Sequence, residues 1–357
     1  MMKSSVTIKD VAASLGISVS TVSRAMRNAK DVSEATRHTV LKKVKRLQYH
    51  PNYSAQCLIN QKTNLIGVVV PVLHSNYFSD AISGISDVLA ESNYQMIVCQ
   101  SNENYKIEQA SISKLLGYNI DGLLISVSKS TKNDKIFKEV VNRNIPLVMF
   151  DRILDSVDCS KVTVDEYEGA YKAVEHLIKK GCVRIAHLAG PQDLLISRNR
   201  KQGYLDALSD YGLKVNPNMV VHCKSFEDDA PRAFKKILMN DPLPDAICFI
   251  NDLSAIDCMK YLHRKGLSIP RDIKIVGFNN DPVSTVSDPS LTTVMQPSYE
   301  VGKLSAGLLI DEIDGKRTRH VNYELRTKLV VRESTKSVRE EAKKIKNQKL
   351  KLKNSKL

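Results

Sequence analysis

Thr7-Ile8-Lys9-Asp10-Val11-Ala12, then Gly16-Ile17-Ser18 and Val19-Ser20-Thr21-Val22-Ser23-Arg24, form the stretch that decides how this chain folds at its start. Ile8, Val11, Ala12 and Leu15 recur at helical spacing, and Asp10 stands three residues after Thr7, the arrangement of a capping box. Gly16 ends that short helix. Ser18 is placed to cap a second helix over Val19–Met26, and Ser33 a third, whose predicted apolar stripe is Val40, Leu41, Val44 and Leu47. Two short helices joined by three residues, with the small Ala12 facing the turn, match a helix-turn-helix, whose second helix enters the major groove of DNA. The predicted outer face of that helix carries Val19, Ser20, Ser23 and Arg24. Arginine pairs bidentately with guanine, serine reaches bases or phosphates, and valine suits a thymine methyl. Spacing alone leaves open three helices packed for another purpose.

Charge supports a polyanionic partner. Of the formal +14, residues 1–62 hold +8 and residues 336–357 hold +7, while the rest is close to neutral. A neutral body with basic ends is the footprint of nucleic-acid binding through counterion release, although a Lys-rich tail also serves solubility. No apolar run approaches the roughly 18 residues of a membrane span, and the first residues lack the apolar segment of a secretory signal, so a cytoplasmic protein is expected. The seven cysteines form no C-x-x-C and are expected to be reduced, mostly core thiols.

From Leu65 the texture changes. Apolar runs at Leu65–Val70, Met96–Cys99, Gly122–Ile125 and Pro146–Phe150 alternate with amphipathic stretches at Ala81–Leu89, Ile107–Leu116 and Ile136–Val141. A second series runs through Ile185–Leu188, Met219–Val221, Ala246–Ile250 and Ile273–Val276, with helices expected at Tyr167–Lys179, Lys201–Ser209, Ala230–Leu238 and Ser254–His263. Continuous apolar strands separated by helices predict two doubly wound parallel-sheet units, and Leu291–Val294 is expected to return to the first. Ligands in such sheets sit beyond the carboxyl ends of the strands. Polar residues at those ends are His74-Ser75-Asn76 with Tyr77 and Phe78, Asp151-Arg152, Arg198-Asn199-Arg200, Asn251-Asp252 and Asn279-Asn280-Asp281. Carboxylates, amides and arginine make the directed hydrogen bonds that sugar hydroxyls need, and an aromatic ring stacks on a sugar face. Asp151 and Asn251 equally suit helix caps, Arg200 could be a solvated base, and His187 is simplest as a strand-end or core histidine.

The motifs in residues 7–24, with Thr36-Arg37 and Tyr49-His50-Pro51-Asn52, closely resemble the head of the LacI/GalR family of bacterial transcriptional regulators. The resemblance covers about residues 6–335. It implies a small all-α helix-turn-helix head over residues 1–50, a hinge helix and linker over 51–64, and a periplasmic-binding-protein-like α/β body over 65–335. The lobes expected within that body are about 65–162 with 292–322, and about 163–291 with 323–335; 336–357 is expected to be a disordered basic tail. It further implies base contacts by Val19, Ser20 and Arg24, and backbone contacts by Ser18, Thr21, Ser23 and Asn52. Thr7 joins these as a DNA-binding position. Leu58 would wedge into the minor groove, with Ala55 allowing close contact of two hinge helices. The effector would touch Asp151, Arg200, Asn251 and Asn279, with His74, Tyr77 and Phe78 beside them.

Three positions depart from the family pattern. Asn279 stands where Asp is usual, which removes a charge from the effector site; Gln56 replaces a frequent Arg; and Met26-Arg27-Asn28 makes Arg27 an added candidate phosphate contact. The expected function is a homodimeric repressor of a carbohydrate uptake or catabolism operon, binding an inverted-repeat operator and switched by a small effector, a sugar by its chemistry. No phosphate-binding loop, zinc-protease motif or nucleophile elbow occurs, so no enzyme, catalytic residue, metal or cofactor is expected. The alternatives are a cytoplasmic sugar-binding or sugar-processing protein with no DNA function, and an architectural DNA-binding protein.

Overall fold

The structure, a computed structural model, describes residues 6–49, 62–223 and 229–336. The chain divides between Thr63 and Asn64 into two units. The first holds helices α1 (Ile8–Leu15), α2 (Val19–Met26) and α3 (Glu34–Arg46). The capping box forms in both directions between Thr7 and Asp10, and Gly16 ends α1 at φ 65°, a left-handed turn that glycine adopts without a Cβ clash. Val11, Ala12, Val22, Ala25 and Val40 are buried in one small core. Leu41 departs from expectation. It is 47% exposed, because a position next to Val40 is rotated by about 100° around the helix and leaves the inward stripe.

In the second unit, strands β1 (Leu65–Val70), β2 (Gln95–Gln100), β3 (Gly122–Ile125), β4 (Leu147–Phe150) and β5 (Ser160–Val164) build a parallel sheet completed by β11 (Asn322–Leu325), in the order β11-β5-β4-β3-β1-β2. β1 is apolar throughout because it feeds two cores. Ile66, Val68 and Val70 face helices α4 (Asn76–Glu91) and α12 (Ser298–Ile313), while Val69 packs with α5 (Tyr105–Gly117) and α6 (Lys135–Asn142) on the other face. The α4–α12 contact depends on glycine: a Cβ on Gly302 would lie 1.9 Å from the Ala81 carbonyl oxygen.

The second lobe repeats the plan with α7 (Glu166–Lys179), β6 (Ile185–Ala189), α8 (Leu195–Asp210), β7 (Val220–His222), α9 (Ala230–Ile237), β8 (Ala246–Phe249), α10 (Asp252–Arg264), β9 (Lys274–Asn279), α11 (Val283–Val286), β10 (Thr292–Met295) and β12 (Lys328–Val330). Its strand order is β12-β10-β9-β8-β6-β7, all parallel except the β10–β12 pair. Two expectations are corrected. Leu291–Val294 does not return to the first sheet, since β10 pairs with β9 and β12 in the second; the return comes with α12. Residues 323–325, expected in the second lobe, lie in β11 beside β5 in the first. The chain thus crosses between lobes after Val164, after Met295 and after Leu325. Sequence pattern alone could not assign β10, because Thr292-Thr293-Val294-Met295 is too short and mixed to favour either sheet.

Candidate functional site

In the head, the Ser18 side chain accepts from the Thr21 amide and lies 2.7 Å from Ser20 Oγ and 2.8 Å from Thr21 Oγ1. Capping at this point fixes where α2 begins, and so which residues face outward. Val22 and Ala25 turn into the core, leaving Val19, 40% exposed, with Ser20 and Arg24 on the free side. Arg24 Nη1 pairs with Asp31 at 2.8 Å, both side chains about half exposed. An exposed pair of this kind contributes roughly 0–1 kcal/mol, so exchanging Asp31 for a base edge costs little. Arg27 Nη2 donates to Ser23 Oγ at 3.1 Å, folding back along its own helix. Thr7, at the N-cap of α1, exchanges hydrogen bonds with Asp10. Asn52, Ala55, Leu58 and the tail 337–357 lie outside the described residues.

In the body, all seven effector residues expected from the sequence, His74, Tyr77, Phe78, Asp151, Arg200, Asn251 and Asn279, line one cavity of about 340 Å³ with walls from both lobes. Asp151 follows β4 with φ 61°, a left-handed conformation that Asp and Asn tolerate better than other non-glycine residues. Its Oδ2 accepts from Ser126 at 2.9 Å, and burial pushes its carboxyl pKa up, against the pull of Arg152. Asn251 caps α10, its Oδ1 accepting from the Ser254 amide at 2.9 Å. The capping role and a place on the cavity wall therefore coincide in one side chain.

Arg200 is not solvated. It is 4% exposed in the second turn of α8, donates to Glu166 Oε2 at 2.6 Å and to the Ile250 carbonyl at 2.5 Å, and lies 3.7 Å over the Phe278 ring. Glu166, Gln296, Glu103 and Lys129 were missed by sequence reasoning. Glu166 opens α7 directly after the first lobe crossing, Gln296 sits at the second, and Glu103 accepts from Arg152 Nη1 at 2.7 Å. A strand-end rule would have found Glu166 had Ser160-Lys161-Val162-Thr163-Val164 looked like a strand; it is too polar to stand out. Arg198 and Asn199 line a second cavity of about 360 Å³ instead. His187 is a core residue as expected, stacked on Tyr204 with ring centroids 5.0 Å apart.

Six cysteines among the described residues are free, and all but the half-buried Cys99 are buried. Among the described residues no group of three or more His, Cys, Asp or Glu is placed to hold a metal ion, and no helix is long and apolar enough to cross a membrane.

A helix-turn-helix head and a two-lobed body with a polar cavity between its sheets define a DNA-binding regulator with an effector-binding domain. Residues 7–52 match the model for bacterial regulatory proteins of the lacI family, and residues 174–335 match the periplasmic binding protein-like domain. The chain is 33% identical to the ribose operon repressor of Halalkalibacterium halodurans over 92% of its own length and 97% of that protein. It is 31% identical to catabolite control protein A of Priestia megaterium over 93% and 99%. Among solved structures, a lac repressor dimer bound to operator and an anti-inducer superposes with a TM-score of 0.84 at 26% identity, covering 94% of this chain and 100% of that one. The chain belongs to the lacI family of bacterial regulatory proteins: it is a DNA-binding transcriptional regulator, and named relatives that it matches along its length are transcriptional repressors, not enzymes.

Proposed function

We propose that this chain is a cytoplasmic, homodimeric repressor of a carbohydrate uptake or catabolism operon, binding an inverted-repeat operator and responding to a sugar, without catalysis of its own. The observation that carries it is the gathering of seven polar and aromatic residues from five separate stretches of the chain on one cavity within the regulator body. Cavities of this size with a few convergent polar groups hold small ligands. Residues 1–50 serve as the DNA-reading head, with Val19, Ser20 and Arg24 on bases and Thr7, Ser18, Thr21, Ser23 and Asn52 holding the backbone. Residues 51–64 form the hinge, where Ala55 and Leu58 engage the minor groove, and 65–335 form the effector and dimerisation body. A complex of the regulator CelR with cellobiose superposes on 92% of the chain with a TM-score of 0.70, which supports a sugar in the cavity.

The experiment is an operator titration with and without a panel of free sugars. Ligand and operator must alter each other's affinity by the same factor, typically 1–3 kcal/mol. A sugar that binds the body and leaves operator affinity unchanged would remove the switch from this proposal.

A further inference from the structure

Resting on the effector reading above, we propose that the cavity takes an uncharged polyhydroxy ligand and rejects its phosphate ester. Three cations, Lys129, Arg152 and Arg200, and three carboxylates, Glu103, Asp151 and Asp281, line it. The two arginines are engaged already. Arg200 is bonded to the buried Glu166, which stands just outside the lining, and Arg152 Nη1 donates to both oxygens of Glu103, at 2.7 and 2.9 Å. Counting Glu166, four carboxylates stand beside three cations, so the site holds no surplus positive charge to meet a phosphate of charge about −1.5 to −2, which would face Asp151 and Asp281.

The buried polar atoms without a partner point the same way. Tyr77 Oη and Gln296 Oε1 are both buried on this cavity and make no hydrogen bond. The Gln296 amide is oriented by a relay: Asn279 hydrogen-bonds to the Asp281 carboxylate, which takes its amide nitrogen, so Asn279 Oδ1 accepts from Gln296 Nε2 at 2.8 Å. Gln296 Oε1 is left as a pure acceptor, and Tyr77 Oη can donate. A ligand hydroxyl both donates and accepts, and so completes either group. An ionised phosphate oxygen cannot donate, and against Gln296 it would leave the acceptor unsatisfied. Nor does the start of α4 offer an open anion site, since Asp281 is hydrogen-bonded to Asn76 there and Asp80 stands near.

The test is calorimetry on the full chain with matched pairs: ribose and ribose 5-phosphate, glucose and glucose 6-phosphate, cellobiose and its 6-phosphate. The parent sugar of at least one pair should bind, with its ester weaker by about 100-fold or more, since its charge would face the like charges of Asp151 and Asp281. Asp151→Asn should narrow that ratio, and Gln296→Ala should weaken the parent sugar about tenfold or more. An ester that binds as tightly as its parent, or alone, overturns the charge assignment while leaving a small-molecule site in place. Failure of every member of every pair overturns the sugar reading itself, and this proposal with it.

Discussion

Glu166 and Arg200, 2.6 Å apart and 3% and 4% exposed, tie the first residue of α7 to the second turn of α8 at the wall of the cavity between the lobes. Removing one member leaves the other as an unpaired buried charge, a loss of about 3–5 kcal/mol. Arg200→Ala should therefore both abolish the effector response and lower the denaturation midpoint of the body. Glu166→Gln, which keeps an acceptor for Arg200, should destabilise less and still weaken effector binding. Urea unfolding alongside ligand titration separates the two effects; an Arg200→Ala protein as stable as wild type would show that the pair adds no net stability.

Helix contact in the first lobe gives a prediction with an internal control. Gly302→Ala places a Cβ against the Ala81 carbonyl and should force α4 and α12 apart, costing about 2 kcal/mol or more. Gly307, on the same helix, faces open space, with no atom within 4 Å of the point a Cβ would occupy, and Gly307→Ala should be neutral or stabilise by up to about 1 kcal/mol. Thermal unfolding of the two variants checks the pair.

At the DNA surface, Arg24→Ala should cost about 1–3 kcal/mol on the cognate operator and relax preference at one base pair per half-site. Asp31→Asn frees the same guanidinium and should change cognate affinity by less than about 1 kcal/mol, in the direction of tighter binding. Equal losses for Arg24→Ala on cognate and scrambled DNA would make Arg24 a phosphate contact instead.

Two buried groups give opposed pH dependences. Burial lowers the His187 pKa from 6.5 to about 4, so neutral His187 contributes stability that is present above about pH 6.5 and is lost as pH falls through 4. Burial raises Asp252 from 3.8 to about 7, so its contribution is present below about pH 4 and is lost as pH rises through 7. Between these limits the slopes offset in the wild type. Asp252→Asn should make stability rise more steeply with pH over roughly 4–6.5, and His187→Gln should make it fall more steeply over roughly 4–7, each by up to about 3 kcal/mol across the window. Denaturation midpoints measured at several pH values decide; parallel curves for all three proteins would show that neither group's pKa differs between the folded and unfolded states.

The head was legible in the sequence because its determinants are local. Thr7 with Asp10, Gly16, Ser18 and Ser33 act within one helical turn of the bonds they satisfy, so spacing alone marks both ends of α1 and the starts of α2 and α3. The strand–helix alternation and the cavity residues His74, Asp151, Asn251 and Asn279 were equally readable, since each follows or ends an apolar strand. Tertiary structure decided the rest. Whether β10 belongs to the first or second sheet depends on which edge its backbone meets and on buried bonds such as that from Thr293 Oγ1 to Asp252 Oδ1 at 2.6 Å. That Arg200 is a buried ion pair rather than a solvated base depends on Glu166, 34 residues away, and the orientation of Gln296 depends on Asn279 and Asp281 from another strand end. Hydrogen bonds between residues far apart in the chain leave no period in the sequence, because their geometry exists only once the sheets and helices have packed.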